Sequence, residues 1–311
     1  MDRRSFLIRR PATQALSTLP ADSLAPISST ADAPWDERRI RHLLRRTGFG
    51  ATVLDVDAFR SSSAQNAVSQ VLDAGRRAPL LTTPDWAELD RPERGTSAYS
   101  QYTSDNRRWR REFELDLLSS YFAPTLRDKL TVFWQNHFVA SVFRYDLARH
   151  AFVYVQTIRT HALGTFKQFV FDMGLTPAML IFLDGISNAV GMPNENYARE
   201  LMELFTMGLE GPDGSPHYPQ DDVRELARAL TGWTVDPRTL VDEFDPARHD
   251  NGAKTLFGRT DQFDYASAID WLFEARADAI AHYVCTRLYE AFVAAPANPA
   301  HVETLAAQFK T

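Results

Sequence analysis

The stretch from Asn194 to Trp233 restricts the fold more than any other, because it spells out two helices, both ends of the first, and a short polar loop between them. Asn194 offers a side-chain oxygen to the unpaired amides of a first turn, and Glu195 suits the positive end of the helix dipole. Gly208 can adopt the left-handed conformation that closes a helix. Tyr197, Leu201, Leu204 and Phe205 recur at helical spacing and therefore belong on a buried face, while Arg199 lies one turn from both Glu195 and Glu203. The second helix, from Asp221 to Trp233, carries Val223, Leu226, Ala227 and Leu230 inward, and its Arg224 and Arg228 have acids within one turn. Pro219 stands just before it and has no side-chain acceptor, so Asp221 is expected to cap this helix instead.

No alternating strand pattern of useful length occurs in the chain, which makes the class all-α: an irregular multi-helix bundle with long loops and a small β-hairpin near 234–260. Helical periodicity predicts further helices over about 35–47, 63–74, 100–120, 124–142, 146–162, 164–173, 176–184, 265–275, 277–292 and 298–309. Prolines 79, 84 and 92 mark a linker over 76–98 between an N-terminal hairpin, 35–75, and a main body, 99–311. The three are expected to form one helical domain, 35–311.

Composition sets outer limits. Of 311 residues, 44% are hydrophobic and 24% charged, which is enough apolar material for a large core. A net charge of −6 gives no basic footprint for nucleic acid. The basic run Arg107-Arg108-Trp109-Arg110-Arg111 is followed at once by Glu112, Glu114 and Asp116, which reads as a solvated helix face with Trp109 turned inward. A single cysteine, Cys285, rules out an intrachain disulfide and reads as a core thiol. No apolar run approaches the length of a membrane span, so no transmembrane segment is expected. Residues 1–34 read either as a disordered tail or as a degenerate leader. Arg3-Arg4-Ser5-Phe6-Leu7 resembles the twin-arginine export motif, but Arg9, Arg10 and Pro11 stand where an apolar region should begin. A working leader implies a periplasmic or secreted protein, and a dead one implies the cytoplasm.

Four separated blocks carry a family resemblance: Arg41 to Gly50, Phe133-Trp134-Gln135-Asn136-His137-Phe138, Asn194 to Gly208 with Asp222 to Trp233, and His249-Asp250-Asn251-Gly252-Ala253-Lys254. Their order and content resemble the domain of unknown function 1800 family. The resemblance implies a mostly helical bacterial protein, often exported, often encoded beside a protein similar to alkaline phosphatases and sulfatases, with no established reaction. It also implies that the chain is a truncated member, because Thr304 to Thr311 resembles the middle of a segment that runs on in the family. Family members often carry a histidine where this chain has Phe205.

Three groups of residues could carry chemistry. His137 falls on the buried face of its helix, where an imidazole is either a hydrogen-bonded core histidine or a general base or metal ligand. Glu200 and Glu203 share one side of a helix and could divide acid and base roles, although Arg199 offers them an ordinary ion pair. His249 and Asp250 sit in a long aperiodic stretch that could fold over the central helices. With Asp222 they would offer the ligands a divalent metal prefers. Asn136, Asn194, Arg199 and Trp233 border these groups as candidate substrate contacts. No Gly-rich phosphate loop, Gly-x-Ser-x-Gly elbow or His-Glu-x-x-His pair is present. Two functions stand side by side: a polar or metal-binding cleft that hydrolyses or binds an extracytoplasmic substrate, and a non-catalytic scaffold or accessory protein that docks a phosphatase- or sulfatase-like partner.

Overall fold

The computed structural model describes Leu24 and residues 34–122 and 124–310. All of the leader expected over 1–34 except Leu24 and Pro34 therefore lies outside the described residues. Fourteen α-helices and two two-stranded antiparallel hairpins make up the described chain, so the class is all-α with small β elements.

Helices α1 (Glu37–Thr47), α2 (Val53–Phe59) and α3 (Ala64–Arg77) form the N-terminal part. Each has a side-chain cap: Asp36 accepts from the Arg39 amide, Thr52 and Asp55 form a reciprocal box, and Ser63 accepts from the Asn66 amide. Helix α2 stands where no helix was expected, since only Val56 of its seven residues is buried and it shows no stripe to read. The proline-rich linker is fixed to the body. Gln156 accepts from the Leu81 amide and donates to the Leu81 carbonyl, and Trp86 stacks on Trp109 at 6.0 Å. The arginines around Trp109 pair locally, Arg108 with Asp105 and Glu112 and Arg110 with Glu114 and Asp146.

The core is built around α7 (Ala148–His161), against which α4 (Ser97–Ser120), α5 (Leu126–His137), α8 (Phe166–Gly174) and α9 (Pro177–Phe182) pack. Asp128 and Arg159 form a buried ion pair at 2.6 Å between α5 and α7. Burial opposes ionisation of the Asp128 carboxyl, but the Arg159 guanidinium and the Thr125 amide and hydroxyl outweigh it and hold the group below its ordinary range. Helix α5 ends at His137, short of the expected 142, because the chain turns at Phe138, whose carbonyl accepts from the buried Tyr154 hydroxyl at 2.6 Å. The short helix α6 (Val142–Tyr145) follows.

Helix α10 (Glu195–Glu200) runs on as a π-helix over Leu201–Thr206, and α11 (Gln220–Ala229) packs against it. Strands β1 (Trp233–Val235) and β2 (Asp242–Phe244) pair with Trp233 opposite Phe244. Strands β3 (Lys254–Leu256) and β4 (Arg259–Asp261) pair with Thr255 opposite Thr260. Helices α12 (Tyr265–Ala275) and α13 (Ala277–Phe292) have the expected bounds, and α14 (Pro299–Phe309) packs on α13 over a small cluster containing Cys285. Burial pushes that thiol up to about 11, which suits a core residue. No described helix is long and apolar enough to cross a membrane.

Candidate functional site

The central helix pair is present, and its first member is locally unwound. Asn194 caps α10 by accepting from the Asn196 amide, and Gly208 closes the element at φ 78°. Between them the amide of Met207 bonds to the carbonyl of Met202, five residues back, and the Thr206 hydroxyl bonds to the Leu201 carbonyl at 2.6 Å. A wide turn of this kind leaves carbonyls without helical partners, and each must find a donor elsewhere. Side chains from two other helices supply them. His137 Nε2 lies 2.8 Å from the Phe205 carbonyl, and the Tyr283 hydroxyl donates to the Leu204 carbonyl at 3.0 Å.

His137 is thereby committed to one job. It is 4% exposed and ringed by Phe133, Trp134, Phe138, Phe166 and Phe205. Donation to a carbonyl fixes the proton on Nε2, which leaves Nδ1 as a buried acceptor with no partner among the described residues. Burial lowers its pKa to about 4, so the ring is neutral at ordinary pH.

Glu200 and Glu203 lie on the rim of this seam, and both are partly buried. Their neighbour is Tyr218, whose hydroxyl is buried with no hydrogen-bond partner among the described residues. Burial first, and then the charge of Glu203, pushes this phenol up to about 12. Tyr283 is raised in the same direction by burial, against the opposing charge of Arg287. Arg199 pairs with Glu195 at 2.8 Å and donates to Gln220, tying α10 to the first turn of α11. It does not pair with Glu203.

The aperiodic stretch does fold back over α11, where its polar groups are met one by one. Asp250 receives Arg228 Nε at 2.7 Å and Nη2 at 3.3 Å, while Arg228 also holds Glu225. His249 Nδ1 faces the Thr231 carbonyl at 2.9 Å, and the Thr231 hydroxyl receives the Asp250 amide. Asp222 accepts from the Phe257 amide at 2.8 Å, and burial raises its carboxyl above the usual range. Lys254, 1% exposed, donates its ammonium to the carbonyls of Asp250, Gly252 and Phe263 at 2.5, 3.0 and 2.7 Å. His249, Asp250 and Asp222 thus face three different partners. Among the described residues no group of three or more His, Cys, Asp or Glu side chains is placed to hold a metal ion.

The other candidate contacts are scattered. Asn136 is exposed and bonds to its own helix through the Val132 carbonyl. Asn194 holds the turn at Ser187, and Asp221 lies within the first turn of α11, which starts at Gln220 with no side-chain cap. Trp233 packs between Phe244 and Tyr265, its indole nitrogen buried without a hydrogen-bond partner among the described residues. Tyr218, Tyr283 and the buried Lys254 were not legible as members of the site. The signal for Lys254 was its place at the end of the block from His249 that resembles the family.

Fold and site together describe an all-α protein whose central seam is a π-turn capped from neighbouring helices and closed by a polar latch. Residues 42–311 match the family described as a protein of unknown function (DUF1800), and the chain belongs to that family. No curated protein and no solved structure matches the chain significantly.

Proposed function

We propose that the chain works as a non-catalytic helical scaffold or accessory protein, and that its partner is the phosphatase- or sulfatase-like protein implied by the family resemblance. One observation carries this reading: the side chains best suited to chemistry are used internally. His137 caps the Phe205 carbonyl, Asp250 is held by Arg228, and His249 faces Thr231. An imidazole that is 4% exposed, bonded to the backbone through Nε2 and enclosed by aromatic rings, presents no accessible base to a substrate. The competing reading has His137, Glu200 and Glu203 act on a substrate, with a divalent metal held by His249, Asp250 and Asp222. It draws support from the unpartnered Tyr218 hydroxyl beside Glu203.

Co-expression with the adjacent phosphatase-like protein, followed by size-exclusion chromatography, separates the two. A stable co-eluting complex, undiminished by Glu203→Gln, is the expected result. Separate elution overturns the scaffold reading, as does metal-dependent ester hydrolysis by the purified chain that Glu203→Gln abolishes.

A further inference from the structure

A second polar group is buried in this fold, and no interaction of the central seam involves it. His150, on α7, is 2% exposed, and neither ring nitrogen completes a hydrogen bond among the described residues. It sits in the wall of a cleft of about 280 Å³ built from the linker, α6, α7, α9 and the β1–β2 hairpin. Its lining combines apolar Ile181, Ile186 and Val235 with the guanidinium-bearing Arg91 and Arg144. A pocket of that lining, with a few convergent polar groups, is the usual form of a small-molecule site.

The charges decide what the cleft can hold. Its two acids are already engaged: Asp146 pairs with Arg110, and Asp236 turns back to accept from the amides of Arg238 and Thr239. Arg144 pairs with Asp184 at 2.8 Å. Arg91 has no carboxylate partner among the described residues; its guanidinium donates to the Tyr99 hydroxyl at 2.8 Å and lies over that ring. Arg149, the residue before His150, donates only to the Leu89 carbonyl. Burial is the main reason the His150 imidazole is neutral, and the charges of Arg149 and Arg91 add to it. The backbone of Tyr145 and Leu240 favours the proton without closing a bond of good geometry. Asp146 and Leu240, both in the cleft wall, are held at φ 44° and 60°, a conformation that residues other than glycine rarely adopt. By contrast, the wider hollow of about 600 Å³ along α1 is walled, among the described residues, by that helix alone.

We propose that this cleft binds a small carboxylate with a short apolar body, its charge on Arg91 and its body over Ile181, Ile186 and Val235. One guanidinium without a carboxylate partner among the described residues fits a monoanion with a planar, two-oxygen head group, and the apolar part of the lining disfavours a bare inorganic ion. The site is independent of partner docking, so either can fail without the other.

Calorimetric titration of the full chain with acetate, butyrate, phenylacetate and phenylacetamide tests it, with inorganic phosphate as a further arm. Butyrate or phenylacetate should bind saturably below about 10 mM, and the neutral amide and the Arg91→Gln protein should each bind about tenfold more weakly. The assignment is overturned if no carboxylate binds in that range, if acid and amide bind alike, if phosphate binds best, or if Arg91→Gln changes nothing.

Discussion

The two buried histidines of this protein, His137 at the central seam and His150 in the linker-side cleft, lie in chemically similar surroundings and answer to different demands. Burial lowers the pKa of both to about 4. His137 donates to a carbonyl that a π-turn has released, so its neighbours need it for the fold. His150 completes no bond of good geometry among the described residues, although the backbone of Tyr145 and Leu240 favours its proton, so it secures less of the fold. A buried polar group without a partner costs roughly 1–3 kcal/mol, and His150 carries two such nitrogens where His137 carries one. A reactive residue type identifies a site only when its hydrogen bonds leave it available.

The strongest way to break the contrast is to disturb the packing behind the seam. A Cβ on Gly174 would collide with the hydroxyls of Tyr197 and Tyr265, which are buried and leave no room to shift. Gly174→Ala should therefore cost about 4 kcal/mol or prevent folding, measured by chemical denaturation. Lys254→Met comes next. It leaves the carbonyls of Asp250, Gly252 and Phe263 without a donor and should cost about 3 kcal/mol, together with faster amide exchange over 249–264.

Acid sharpens the same comparison. His137 has an ordinary pKa of 6.5 when unfolded and about 4 when folded, so over that interval the unfolded chain binds a proton that the native chain refuses. Its contribution is complete above pH 6.5 and falls away as the pH drops toward 4, amounting to up to about 3 kcal/mol. His150 should add a similar slope, and each His→Phe variant should flatten the stability curve by its own share.

Much of the scaffold was legible because its boundaries are written in local chemistry. Helix α12 begins where Asp264 and Ser267 cap each other, and α10 begins at Asn194. The return of the 249–254 stretch over α11 was legible too, since a polar loop amid strong helices has few places to lie. Its consequence was not, because only the folded chain places Arg228 on Asp250 and Lys254 among three carbonyls. The π-turn was hidden by a sequence that reads as ordinary helix through Phe205. His150 was hidden for another reason: Ala148, Ala151 and Phe152 around it read as core, and the walls of its cleft come from segments far apart in the chain.

Side-by-side equilibrium denaturation of His137→Phe and His150→Phe at neutral pH tests the central distinction most directly. The expected result is a loss of about 2 kcal/mol for His137→Phe, whose Phe205 carbonyl is left bare, and a change within about 1 kcal/mol for His150→Phe. Equal losses, or a larger loss at His150, would contradict the account, because the cleft histidine would then belong to the fold as firmly as the one at the seam.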